Sequence, residues 1–145
     1  YADQIIIMCY NYSSRLDKPG PICPVFWLKD IIRFARSQIP REKISIALPL
    51  HGYDWNEEKT TSVNLKTAEA LSDKYKATIQ WHSRSASPYF IYYANGIQHR
   101  VWFENERSIL EKIKIIKRYK ISHLAFWHLG ILDPSLVEPL QEFIN

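Results

Sequence analysis

The chain has 145 residues, 46% of them hydrophobic and 14% aromatic, and 19 Lys and Arg against 15 Asp and Glu give a net charge of +4. That is the length of one ordinary domain with a real core, and the charge is too mild to mark a nucleic-acid surface. No apolar run approaches the ~20 residues a membrane helix needs, and two cysteines, Cys9 and Cys23, are too few for a disulfide scaffold.

The first element is Ile5 to Cys9, a strand that is apolar on both faces and so belongs in a covered sheet. Cys9, after this run, reads as a small core residue. No basic leader precedes the strand, so no signal peptide is expected. The stretch Ser13 to Pro24 carries Pro19, Gly20, Pro21 and Pro24 and reads as a loop. Phe26, Leu28, Ile31, Ile32, Phe34 and Ala35 recur at helical spacing until Pro40. Ile44 to Leu48 is a second strand, ended by Pro49 and followed by His51-Gly-Tyr-Asp-Trp55.

The rhythm then changes. Asn64 can cap a short helix through Leu65, Ala68, Leu71 and Tyr75. Ile79 to His82 reads as a strand. Asn95-Gly96, between runs 88–93 and 97–103 of aromatic and β-branched residues, is a strong hairpin signal. A helix from Glu106 to Tyr119, capped by Asn105, presents Ile109, Leu110, Ile113 and Ile116 inward. Leu124 to Trp127 is a third buried strand, and Asp133 and Pro134 can open a last helix to Ile144. The basic residues Arg33, Arg36, Lys112, Lys114, Lys117 and Arg118 fall at helical spacing and read as solvated helix faces.

Alternating strands and helices predict an α/β fold with a parallel sheet. Right-handed crossovers put the helices on one face and leave the other, also apolar, bare. Three strands cannot close a barrel. Eight could, so the neighbours of Ile5 to Met8 are expected largely outside this chain. The expected organisation is residues 1–55 and 105–145 as a partial barrel domain, with 56–104 as a small α+β insertion. In such a sheet the chemistry sits at the C-terminal strand ends. Tyr10, Asn11 and Tyr12 follow the first strand, Tyr53, Asp54 and Trp55 the second, and Trp127 and His128 end the third. Aromatic faces with a few hydrogen-bonding groups suit a sugar. The residues alone assign no reaction. A nucleotide-binding α/β domain would need a Gly-rich phosphate loop after a strand, and these junctions are Gly-poor.

Six segments occur in one order: residues 1–11, Gly20-Pro-Ile-Cys-Pro24, Ile39-Pro-Arg-Glu-Lys-Ile44, Leu48-Pro-Leu-His-Gly-Tyr-Asp-Trp55, Trp102-Phe-Glu-Asn-Glu-Arg-Ser108 and Phe126-Trp-His-Leu-Gly130. Together they resemble the C-terminal part of a glycoside hydrolase family 18 barrel, in particular the bacterial spore-cortex and cell-wall N-acetylglucosaminidases. The resemblance covers nearly the whole chain. It implies strands six to eight of a (β/α)8 barrel, with the family's insertion between strands seven and eight.

The resemblance also implies an activity. The family cleaves β-1,4 bonds next to N-acetylated sugars with retention, by substrate-assisted catalysis in which the substrate's own acetamide attacks. The general acid ends an Asp-x-x-Asp-x-Asp-x-Glu motif that is absent here, so it is expected outside this chain. Glu57 and Glu58 read as solvated loop charges, not substitutes. Met8-Cys-Tyr-Asn11 matches the family's Met-x-Tyr-Asp, which gives Tyr10 the role of orienting the acetamide. Asn11 keeps the hydrogen bonding of the usual acid and loses its charge. Trp127 matches the tryptophan under the sugar at the cleavage point, and Tyr53, Asp54 and Trp55 would line the same pocket. Glu104 and Asn105 match a Glu-Asp pair.

The expected partners are an N-acetylglucosamine-containing glycan of peptidoglycan or chitin type, and the rest of the barrel or a second copy on the bare sheet face. No cofactor, metal, nucleic acid or membrane is expected. The implied location is extracellular, in the cell wall or spore envelope. A non-catalytic glycan-binding barrel is the alternative that Asn11 favours.

Overall fold

The structure, a computed structural model, describes residues 2–128, 130, 134–137 and 141. Its elements in chain order are β1 (Ile5–Met8), α1 (Val25–Gln38), a 3-10 turn (Arg41–Lys43), β2 (Ile44–Pro49), β3 (His51–Trp55), β4 (Thr60–Asn64), α2 (Leu65–Lys74), β5 (Gln80–His82), β6 (Ser87–Ala94), β7 (Ile97–Trp102), α3 (Glu106–Arg118), β8 (His123–Trp127) and a 3-10 turn (Pro134–Leu136). The helix expected from Asp133 to Ile144 lies largely outside the described residues.

Two sheets form. β1, β2 and β8 make a parallel sheet in that order, and β4-β3-β7-β6-β5 makes an antiparallel one. In the parallel sheet Ile6 pairs with Ser45 and Met8 with Ala47, while Ser45 pairs with His123 and Ala47 with Ala125. Register partners in a parallel sheet point to the same side. One side therefore carries Ile7, Ile44, Ile46, Leu48, Leu124 and Phe126, and the other carries Ile6, Met8, Ser45, Ala47, His123, Ala125 and Trp127.

The first side is covered. Leu28, Ile32 and Ala35 of α1 and Ile109, Ile113 and Ile116 of α3 join Ile44, Ile46 and Leu48 in one core, so both helices lie on one face, as right-handed crossovers require. Each fully buried Ile or Leu there contributes about 1.5–3 kcal/mol relative to exposure. The second side is open. Ile6 is 57% exposed, Met8 65% and Trp127 52%. Ile5 to Met8, read as buried on both faces, is covered here on one face only. The reason is topological: β1 and β8 are both edge strands of a three-stranded sheet. A cavity of about 830 Å³, bounded by Ile6, Ser45, His123 and Ala125 among others, opens on this side.

The antiparallel sheet follows local signals. Asn95 (φ 51°) and Gly96 (φ 80°) close the β6–β7 hairpin, with Ala94 opposite Ile97. Two consecutive positive φ values are what a type I′ turn needs. Gly52 allows β3 to lie against β7, because a Cβ there would run into the Trp102 carbonyl and the Phe103 backbone. Asn64 caps α2 by accepting from Thr67 N at 2.8 Å. Asn105 and Ser108 cap α3 reciprocally, at 3.0 and 2.9 Å. β3 belongs to this second sheet. The sheet thus begins at His51. The two sheets share a single core, since Val63, Phe90, Val101 and Phe103 pack with the Ile44–Leu48 cluster.

Lys112 corrects the reading of the basic residues as solvated helix faces. It is fully buried, and its Nζ lies 2.7 Å from Glu104 Oε2. Ser108 Oγ donates to the same oxygen at 2.5 Å, while Glu104 Oε1 has no partner among the described residues. Burial pushes the Glu104 carboxyl above the usual range, against the pull of Lys112 and Ser108. Cys9 and Cys23 are both free and buried, and burial pushes the Cys9 thiol up to about 12.

Candidate active site

The C-terminal ends of β1, β2 and β8 meet the start of β3. Leu50 N donates to the Trp127 carbonyl at 2.7 Å, so the chain leaving β2 is tethered to β8 as it enters β3. That tether sets His51 beside Trp127. Cys9 N, just past β1, donates to the Ala47 carbonyl at 2.9 Å and brings Tyr10 and Asn11 to the same place.

Asn11 is the hub. It holds a left-handed conformation (φ 62°), which Asn tolerates better than most residues. Its Oδ1 accepts from the Tyr53 hydroxyl at 3.0 Å and lies 3.1 Å from His51 Nε2. With Nε2 as the donor, Oδ1 is satisfied twice and the Asn11 amino group stays free to donate. His51 Nδ1 is then an acceptor, buried with no partner among the described residues. Burial holds His51 below its ordinary pKa, opposed by the Trp127 carbonyl and reinforced by His128. His51 is therefore a neutral imidazole at neutral pH. Burial raises the Tyr53 phenol, with Arg15 pulling it down, and raises the Tyr10 phenol.

A continuous ladder of rings runs through the site. Trp127 stacks on Tyr10 at 6.2 Å, Tyr10 meets His51 edge-on at 6.0 Å, His51 meets Tyr53 at 5.3 Å, and Tyr53 meets Trp55 at 5.4 Å. In front of it lies a cleft of about 370 Å³, bounded by Asn11, Arg15, His51, Tyr53, Asn64 and Trp127 among others, with no Asp or Glu on its described lining. The peptide between Trp127 and His128 is cis.

Of the residues expected from the sequence, Tyr10, Asn11, Tyr53 and Trp127 come together here. Trp55 continues the ladder but is buried, and its Nε1 lacks an acceptor among the described residues. Asp54 lies on the opposite face of β3. It is buried there, accepting from the Tyr92 hydroxyl at 2.6 Å and lying 3.0 Å from His99 Nδ1. Tyr12 turns away to Phe26 and Trp27, with ring separations of 5.6 and 5.5 Å. His51 was not among the expected site residues. The signal was present, because residues 51, 53 and 55 share one face of a strand and Asp54 takes the other. Among the described residues, no group of His, Cys, Asp and Glu side chains converges to hold a metal. No described helix is long and apolar enough to cross a membrane.

The parallel strands thus end at an aromatic cleft in an α/β domain, with no Asp or Glu on the cleft's described lining. The model of the family "Glycosyl hydrolases family 18" matches residues 1–131, and the chain belongs to that family. It is 31% identical over 140 residues to the cortical fragment-lytic enzyme of Bacillus anthracis, across 92% of this chain and 33% of that protein. The crystal structure of the Bacillus cereus spore cortex-lytic enzyme SleL superposes with a TM-score of 0.95 at 31% identity, covering 99% of this chain and 36% of that one. A chitinase from Chromobacterium violaceum superposes with a TM-score of 0.91 at 28% identity, covering 99% and 46%. The chain thus spans about a third of the length of the curated relatives it matches.

Proposed function

We propose that this chain forms strands six to eight of a (β/α)8 glycosidase barrel, with β3–β7 and α2 as its insertion. The complete barrel cleaves β-1,4 bonds next to N-acetylglucosamine in peptidoglycan or chitin-like glycans of the cell wall or spore envelope. The observation that carries this reading is the convergence of Tyr10, Asn11, Tyr53 and Trp127 at the C-terminal ends of parallel strands, in a family 18 chain. The open side of the sheet supports the barrel, because Ile6, Met8, Ala47 and Ala125 suit a packed interior of further strands.

In the proposed mechanism the substrate's acetamide oxygen attacks the anomeric carbon, and the protein orients that acetamide. The Tyr10 hydroxyl and the free amino donors of Asn11 hold it in line. Trp127 supports the sugar ring from below. Tyr53 and neutral His51 fix Asn11 by occupying its oxygen. Protonation of the leaving oxygen requires a carboxylic acid, and the described cleft lining contains none. The acid therefore comes from the remainder of the barrel, and this chain alone does not hydrolyse glycans. General-acid help supplies about 10²–10⁴-fold in rate.

The test incubates the isolated chain, and the complete barrel, with peptidoglycan, chitin oligomers and an aryl N-acetylglucosaminide, and measures released reducing ends. Turnover by the complete barrel only is expected. Robust turnover by the isolated chain would contradict the assignment of the acid. Asn11, where the family's motif has an acid, favours a second reading: a barrel that binds glycan without cleaving it. Binding without turnover by the complete barrel would select that reading.

A further inference from the structure

A second cleft, of about 730 Å³, opens beside the first. Its walls are the loop after β1, the β3–β4 turn and the outer part of β7. Four basic side chains line it: Arg15, Lys18, Lys59 and Arg100. All four residues are exposed, and none forms an ion pair among the described residues. Three acids share the lining. Asp17 is engaged by Ser14 N at 2.8 Å, while Glu57 and Glu58 stand on the β3–β4 turn.

Both walls are held in place locally. The Ser14–Asp17 turn closes with Asp17 N donating to the Ser14 carbonyl at 3.1 Å. The β3–β4 turn is tied by Asn56 Oδ1, which accepts from Glu58 N and Lys59 N at 2.8 and 2.9 Å. A cleft with pre-ordered walls loses less entropy when it takes a ligand. Arg100 Nε donates to Gln98 Oε1 at 3.0 Å, which fixes its guanidinium on β7.

The two clefts share a wall residue. Arg15 lines both. The ring ladder that begins at Trp127 ends at Trp55, in the wall of the second cleft. A glycan seated in the first cleft would have Arg15 and the second cleft beside it. The charged groups of the second cleft are two guanidiniums and two ammoniums against three carboxylates, of which Asp17 is already engaged by Ser14; the buried Trp55 indole nitrogen has no partner among the described residues. A sugar hydroxyl both donates and accepts, whereas a carboxylate only accepts.

We propose that this cleft is a subsite for a carboxylate-bearing substituent of the glycan, with Arg15 and Arg100 setting the preference for acidic over neutral chains. Planar guanidiniums match a carboxylate in two parallel hydrogen bonds, which ammoniums do not. The proposal rests on the glycosidase reading and narrows its substrate to glycans that bear free carboxylates, on a sugar or on a peptide attached to it, which unmodified chitin lacks.

The test uses the full chain with its complete barrel and two thio-linked tetrasaccharides that resist cleavage. One alternates N-acetylglucosamine with N-acetylmuramic acid bearing free carboxylates, and the other contains N-acetylglucosamine only. Calorimetry should give tighter binding of the acidic probe, with a preference that shrinks as salt rises. Arg15→Gln with Arg100→Gln should weaken the acidic probe about tenfold more than the neutral one. Glu57→Gln with Glu58→Gln should tighten the acidic probe. Normal binding of the neutral probe, together with an acidic probe indifferent to both double variants, would overturn this subsite and leave the glycan reading standing. If the folded protein binds neither probe, the glycan reading fails and the subsite fails with it.

Discussion

Tyr53 and Asn11 stand 42 residues apart in the chain and meet in a 3.0 Å hydrogen bond where the two sheets join. The bond links the end of the parallel sheet to the first strand of the antiparallel one. Tyr53→Phe removes the donor and leaves Asn11 Oδ1 held by His51 alone. Binding of N-acetylglucosamine oligomers by the complete barrel should weaken by about 0.5–1.5 kcal/mol, the net worth of one hydrogen bond. Calorimetry on the folded variant measures this, and unchanged affinity would remove Tyr53 from the orienting network.

The pH dependence of His51 can be read with its sign. Its folded pKa is depressed below the ordinary 6.5, mainly by burial. The unfolded chain therefore takes up the proton first as pH falls. The stability His51 contributes is present above about pH 6.5 and is lost as pH falls toward its folded pKa. Asn11→Asp would place a carboxylate at the 3.1 Å contact and favour the imidazolium. NMR titration should show the His51 pKa moving up in this variant. An unmoved His51 pKa would mean that the Asn11 contact is not formed in solution.

Trp127 is half exposed at the end of β8 and stacked on Tyr10. Trp127→Ala should weaken the binding of N-acetylglucosamine oligomers to the complete barrel by roughly 1–3 kcal/mol, with base stacking on aromatics as the guide. Equal affinity in a folded variant would take Trp127 out of the sugar site.

The Glu104–Lys112 pair has no exposed atom to spare, since both side chains are fully buried. Lys112→Met leaves Glu104 without its counter-charge and should cost about 3–5 kcal/mol in denaturant unfolding. Adding Glu104→Gln should recover part of that loss, because an uncharged amide needs no counter-ion. A single variant as stable as the parent would show that the pair is not closed in solution.

The open sheet side predicts association of the isolated chain. Ile6 and Met8 are both more than half exposed on this side, and neighbouring exposed apolar side chains favour association. Ile6→Lys with Met8→Lys should raise the monomer fraction in light scattering. A parent chain that stays monomeric at high concentration would contradict this expectation.

Much of the architecture was legible in the sequence because its signals are local. Asn-Gly between aromatic runs specifies a tight hairpin by backbone conformation alone. Asn64 and Asn105 announce helix starts by the acceptors they offer, and α1 stops before Pro40 because proline has no N–H to donate. Strand–helix alternation dictated a parallel sheet with its helices on one face, and the motif order carried the family. Other features depend on contacts far apart in the chain. Lys112 sits on an amphipathic helix like any solvated lysine; its partner Glu104 is only eight residues away, but the enclosure around the pair includes the Ala86 carbonyl from far along the chain. Asp54 and Tyr53 take opposite faces by strand alternation, but pairing of β3 with β4 and β7 decides which of those faces meets the site. His51 became part of the site because Leu50 is tethered to the Trp127 carbonyl, a contact no local pattern encodes. The place of Arg15 on the walls of both clefts is of the same kind: residue types determined which chemistry the chain could offer, and packing of distant strands decided which groups share a site.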